Sequence, residues 1–167
     1  MKGTFLSIVF CVCWVVTGCT TPPAVKIFIV EEGARQYFVP PTEWRTINTG
    51  KITAKLDITY RDTTESEAIV NVSFTGRKDV PHKVSSAALY GDGALLPLKS
   101  IKVIYLKPGV RELRISSGMD REDLMAVLAA SAVELGAVID GEEYRFAPSK
   151  EFSGLRAELH ESLVYGH

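Results

Sequence analysis

Residues 51–61 read Lys51-Ile52-Thr53-Ala54-Lys55-Leu56-Asp57-Ile58-Thr59-Tyr60-Arg61, and their alternation decides the fold class. Ile52, Ala54, Leu56, Ile58 and Tyr60 share one parity; Thr53, Lys55, Asp57, Thr59 and Arg61 share the other. Successive side chains of an extended chain point to opposite faces, so this period of two puts the first set in a core and the second in water. The polar run Asp62 to Ser66 then reads as a loop. Over 67–75 the pattern returns, with Ala68, Val70, Val72 and Phe74 on one side. The two segments together predict an antiparallel hairpin.

The same reading extends outward in both directions. Lys26-Ile27-Phe28-Ile29-Val30 is a compact β-rich run, and Arg35 to Val39 predicts a second strand stopped by Pro40-Pro41. Residues 77–83 connect the hairpin to a strand over 84–90, and Gly91-Asp92-Gly93 makes a tight turn. From Leu98 to Leu106 apolar residues fall on both faces, Ile101, Val103 and Tyr105 one way and Ile104 and Leu106 the other. That pattern predicts a central strand or one covered by a helix. Pro108-Gly109 fits a type II turn back into a strand over Val110–Ile115.

The periodicity then changes. Asp120 to Asp123 places acids where a helix begins, and Leu124, Val127 and Leu128 form a helical stripe. The helix either runs to Leu135 or stops near Ser131. The second choice is favoured, because Val133, Leu135, Ala137 and Ile139 then alternate and Asp140-Gly141 closes a hairpin into Tyr144 and Phe146. Ser149 can cap a final helix carrying Phe152, Leu155, Leu159 and Leu163 on one side. The sum is a mainly β fold: an antiparallel β-sandwich or open barrel of about eight strands with one or two helices near the C-terminus.

Residues 1–19 follow another plan. Met1 and Lys2 are followed by an apolar run from Phe5 to Val16, then Thr17-Gly18-Cys19 and the polar Thr20-Thr21. This is the layout of an export signal, and it is shorter than the roughly 20 apolar residues a membrane-spanning helix needs. Val16-Thr17-Gly18-Cys19 resembles the box recognised in bacterial lipoproteins. The resemblance covers these first 19 residues only, with Val16 where Leu is commonest. It implies a diacylglyceryl group on the Cys19 thiol, cleavage before Cys19 and further acylation of the freed amine. Val16, Thr17 and Gly18 would be the signal-peptidase recognition residues. Two or more acyl chains anchor a protein stably, whereas one holds only marginally. By analogy with enteric bacteria, Thr20 rather than Asp after the cysteine implies the outer membrane over the inner. On this reading 1–18 is a cleaved signal peptide, 19–25 a lipidated tether with Pro22-Pro23, and 26–167 one β-rich domain.

The 167-residue chain has 19 Lys+Arg and 20 Asp+Glu; removing Lys2 with the leader leaves 18 against 20. Such a balance gives no general attraction to nucleic acid. The cysteines are Cys11, Cys13 and Cys19, so a lipidated mature chain holds no free thiol, disulfide or thiolate metal site. His82, His160 and His167 lack metal-ligand spacing, and no cofactor or metal is expected. No Gly-x-Ser-x-Gly or Ser-x-x-Lys motif occurs, and Ser116-Ser117-Gly118 reads as turn or capping residues before the helix. Carboxylates concentrate at 62–67 and 120–123 without the spacing of a calcium loop.

Two features remain as a candidate binding surface. Arg77, Lys78, His82 and Lys83 form one basic loop, and Trp44 with Tyr37, Phe38 and Pro40-Pro41 offers aromatic contact for carbohydrate or peptide. Solvated charge and buried aromatics are the commoner fates of such groups. The expected function is a non-enzymatic, membrane-anchored binding module of the cell envelope, with a protein or glycan partner. The alternatives are an envelope hydrolase using two or more of Asp62, Glu65, Asp92, Asp120 and Glu143, and a structural subunit of an envelope assembly.

Overall fold

The computed structural model describes residues 24–48, 50–63, 67–79 and 81–165. The signal and lipid-attachment residues 16–19, Glu65 and His167 lie outside them. The described residues form ten strands: β1 (Lys26–Ile29), β2 (Arg35–Thr46), β3 (Ile52–Arg61), β4 (Ala68–Gly76), β5 (Val84–Gly91), β6 (Ala94–Pro97), β7 (Lys99–Lys107), β8 (Glu112–Met119), β9 (Val133–Ile139) and β10 (Glu142–Pro148). Helix α1 (Arg121–Ala129) lies between β8 and β9, and α2 (Lys150–Tyr165) follows β10.

All the strands belong to one antiparallel sheet in the order β6-β5-β9-β10-β2-β3-β4-β8-β7, with β1 on the free part of β2. Its two ends are consecutive in sequence. The Leu98 N–H still donates to Ala87 of β5 at 3.1 Å, and the next residue, Lys99, already pairs with Gly118 of β8. Residues 94–107 are therefore one nearly continuous strand that leaves β5 and joins β8, and the sheet curls into a nearly closed barrel. Just past this switch, within the β7–β8 pairing, a bulge holds Ser100 at φ 53°, and the register shifts on both sides of Lys102–Val103.

The alternation over 52–60 does what its period predicts on the core side. Ala54, Leu56 and Ile58 are buried, as are Phe74, Val72 and Val70 opposite them. They join a single hydrophobic cluster with Trp44, Leu135, Phe146 and the α2 residues Phe152, Leu155 and Leu159. Both Asp-Gly turns form with positive φ at each central residue, Asp92 and Gly93 at 48° and 85°, Asp140 and Gly141 at 51° and 86°. This is the mirror-image turn that suits the right-handed twist of hairpins. The β9 strand forms, and α1 stops at Ala129.

Four expectations are corrected. Pro40-Pro41 does not end β2; the chain bulges between Val39 and Thr42 and the strand continues to Thr46, the bulge accommodating residues without N–H donors. Pro108-Gly109 is not a type II turn. A short 3-10 turn runs Pro108–Val110 and closes on Arg111 at φ 52°. Ser116-Ser117-Gly118 lies inside β8 rather than in a turn, and the buried Ser117 hydroxyl donates to the Lys99 carbonyl. The fourth concerns β7, which is the last strand of the path instead of a central one, with Val103, Ile104 and Leu106 exposed.

The helices gather at one end of the barrel, where β8 and β10 finish and β9 begins. Ser149 accepts the Phe152 N–H at 3.4 Å, starting α2 as a capping residue does. The Trp44 and Phe152 rings then meet with centroids 4.7 Å apart. Arg156 of α2 donates to the carbonyls of Val127 and Ala130, the groups left without intrahelical partners where α1 ends. No helix of the described residues is long and apolar enough to cross a membrane.

Candidate functional site

The barrel end opposite the helices is open. Its rim is built from the β2–β3 connection, the chain after β4 and the β9–β10 hairpin. A cavity of about 480 Å3 sits there, lined by Lys51, Arg77, Lys78, Asp140, Glu142 and Tyr144 among others. The chain after β4 is tied down by its backbone: the Gly76 N–H donates to the Arg111 carbonyl at 3.0 Å and the Arg77 N–H to the Lys51 carbonyl at 2.9 Å. Gly76 is required because a Cβ there would run into the Asp79 carbonyl oxygen. This fold-back presents Arg77 and Lys78 at the rim.

The acidic side of the mouth is already engaged. Glu142 accepts from the Tyr144 phenol at 2.8 Å and pairs with Lys51 at 3.4 Å. These two donors, the phenol first, hold the Glu142 carboxyl below its ordinary range. Burial and the Glu142 carboxylate push the Tyr144 phenol up to about 12, so it stays a neutral donor at physiological pH. Asp140 accepts from the backbone N–H groups of His82 (3.1 Å) and Lys83 (2.9 Å). With Glu142 and Asp140 occupied, Arg77 and Lys78 are cations for which no carboxylate partner is found among the described residues. Asp79 lines the cavity as well, so the mouth sets three cations, Lys51, Arg77 and Lys78, against three carboxylates, Asp79, Asp140 and Glu142: a mixed charged rim suited to a polar group.

The residues singled out from sequence divide. Arg77 and Lys78 line the mouth, and Lys83 adjoins it through the Asp140 contact. Tyr37 and Trp44 do not contribute. They are 2 % and 0 % exposed, so these two aromatics are core packing. Lys51 comes from the β2–β3 connection and Glu142 and Tyr144 from β10, and only the strand alternation of Tyr144 marked any of them beforehand.

The carboxylates considered for hydrolysis occupy separate places. Asp92 accepts from the Ser131 and Ala132 N–H groups at 3.0 and 2.8 Å, Asp120 pairs with Lys99, and Glu143 contacts Arg145 at 3.3 Å. Asp62 follows β3, its N–H bonded to the Arg35 carbonyl. Among the described residues no three His, Cys, Asp or Glu side chains are grouped to hold a metal ion.

A polar network that alternation placed in water lies on the outer face of β3, β4, β7 and β8. Asp57, only 2 % exposed, accepts from Arg114 Nη2 at 2.5 Å and Asn71 Nδ2 at 2.8 Å, and Arg114 Nη1 donates to Ser73 at 2.9 Å. Beside it the Tyr105 phenol donates to Glu112 at 2.6 Å, which lowers the Glu112 carboxyl and raises the phenol. The donors and acceptors satisfy one another, which marks this as a structural clasp across strands.

No protein-family model, curated protein or solved structure matches the chain.

Proposed function

We propose that the chain is a membrane-anchored lipoprotein of the bacterial cell envelope whose barrel is a non-enzymatic binding module. The observation that carries the reading is Val16-Thr17-Gly18-Cys19 at the end of an uncharged apolar run. Acylation at Cys19 supplies the anchor, and residues 20–25 a short tether to β1. Outer-membrane attachment follows from Thr20 by the enteric analogy. The binding half of the reading is supported by the open, charged mouth with Arg77 and Lys78 at its rim. The separate engagement of Asp92, Asp120 and Glu143 favours binding over hydrolysis.

Cys19→Ser tests the anchor in cells that make the protein. The expected outcome is a chain that keeps its leader, lacks the mass of the diacylglyceryl group and shifts from the membrane to the soluble fraction. A variant that matures to the normal size and partitions unchanged would overturn it. Charge reversal at the mouth, Arg77→Glu with Lys78→Glu, tests the binding half. Retained recovery of the partners that co-purify with the unmodified chain would remove the mouth from the proposal.

A further inference from the structure

Strand β7 ends the strand path with one strand neighbour and carries exposed apolar side chains. It pairs with β8 from Lys99 to Lys107. On its other edge the bond from Leu98 to Ala87 is the last link to β5. Beyond it, β6 covers β5 only over Ala88–Gly91, so the first part of β5 and the stretch Ile101–Lys107 of β7 border a seam where the barrel is not zipped. Val103, Ile104 and Leu106 are 57, 53 and 41 % exposed along that seam.

We infer that the β7 edge takes up an extended segment of a partner protein, roughly seven residues long, in which acidic side chains interleave with apolar ones. The inference deepens the binding-module reading and rests on it only in supposing that a partner exists. Three observations choose this occupant. A β edge presents backbone N–H and C=O groups that an added strand pairs and a lipid surface does not. Val103 and Leu106 lie opposite the buried Ile115 and Leu113 of β8, on the core side, and yet stay 57 and 41 % exposed along the free edge. The charge along β7 has one sign: Lys99, Lys102 and Lys107 with no acid. Lys99 is held by Asp120 and Lys107 lies over the Tyr105 ring at 4.2 Å, whereas Lys102 has no carboxylate partner among the described residues. Pairing β7 with β7 of a second copy would set cation along cation, which cross-strand pairs disfavour. An acidic, apolar strand satisfies both requirements.

A benzophenone side chain placed singly at Lys102, Ile104 and Leu106 of the full chain, irradiated in its own cells, tests the inference. The expected adducts fall on one partner segment containing acids, and moving the probe by two residues moves the attachment by about two. Ile104→Lys, with its thermal midpoint unchanged, is expected to cut the adduct from position 102 at least tenfold. Absence of adduct, adducts to lipid, a doubled chain mass, or attachment points without register each overturn the inference, as does a segment lacking acids. Membrane partition read in the same fractions reports the anchor independently of the adduct.

Discussion

Arg114 donates from Nη2 to the Asp57 carboxylate at 2.5 Å, joining β8 to β3 across β4 on the outer face of the barrel. The Asp57 side chain is 3 % exposed and that of Arg114 20 %. Removing one member of such a pair leaves an uncompensated buried charge, at a cost of about 3–5 kcal/mol. Arg114→Met is therefore expected to lower unfolding free energy by that order. Arg114→Met with Asp57→Asn should recover most of the loss, because no charge is then stranded. Urea titrations of the three chains measure this; equal losses in the single and double variants would contradict it.

The contact of Trp44 with Phe152 fixes α2 to the barrel. Both side chains are buried, at 0 and 1 % exposure. Truncating a buried Phe costs about 3–5 kcal/mol through lost burial and the cavity left behind. Phe152→Ala is expected to fall in that range and to red-shift the emission of Trp44, the sole tryptophan after the leader. An unshifted spectrum with unchanged stability would show that α2 does not depend on this ring.

What was legible in the sequence was local. The Ile52–Tyr60 alternation, the two Asp-Gly turns and the Ser149 start of α2 each lie within a few residues of the feature they determine. Asp57 had the parity of a solvent-facing residue, and its burial depends on Arg114, 57 positions away. Trp44 read as a possible surface aromatic because Phe152 is nowhere near it in sequence. The pairings of β5 with β9 and of β10 with β2 have no local signal either. Of the mouth, Arg77 and Lys78 were visible as a charged loop, whereas Lys51, Glu142 and Tyr144 meet only through sheet closure. The double-faced apolar pattern of β7 misled, because the bulge between Val103 and Tyr105 breaks the parity on which that reading rests, and β7 ends the strand path.

Ser100 sits in the bulge at the start of the β7–β8 pairing with a left-handed φ of 53°. That conformation costs a residue with a Cβ about 1–2 kcal/mol, and glycine avoids most of it at some entropic expense. Ser100→Gly is expected to raise stability by up to about 1 kcal/mol, and Ser100→Val, β-branched, to lower it by about 1–2 kcal/mol. Denaturant midpoints with unchanged slopes check the pair. A valine that matches serine would mean the bulge is not held at this residue.

Asp92 and Asp140 play one role at opposite ends of neighbouring strands. Each opens an Asp-Gly turn and accepts two N–H groups of the chain leading into the adjacent strand, Ser131 and Ala132 for Asp92, His82 and Lys83 for Asp140. The Ala132 and then the Ser131 N–H hold the Asp92 carboxyl below its ordinary 3.8. A carboxyl lowered in the folded state binds its proton more readily when the chain unfolds. Its stabilisation is therefore full above the unfolded value and is lost as pH falls through the lower folded one. Asp92→Asn cannot titrate, so the fall in thermal midpoint between neutral pH and about pH 3 should be smaller in the variant than in the unmodified chain. Parallel curves over that interval would show that the carboxylate form of Asp92 adds nothing to the hold on β9.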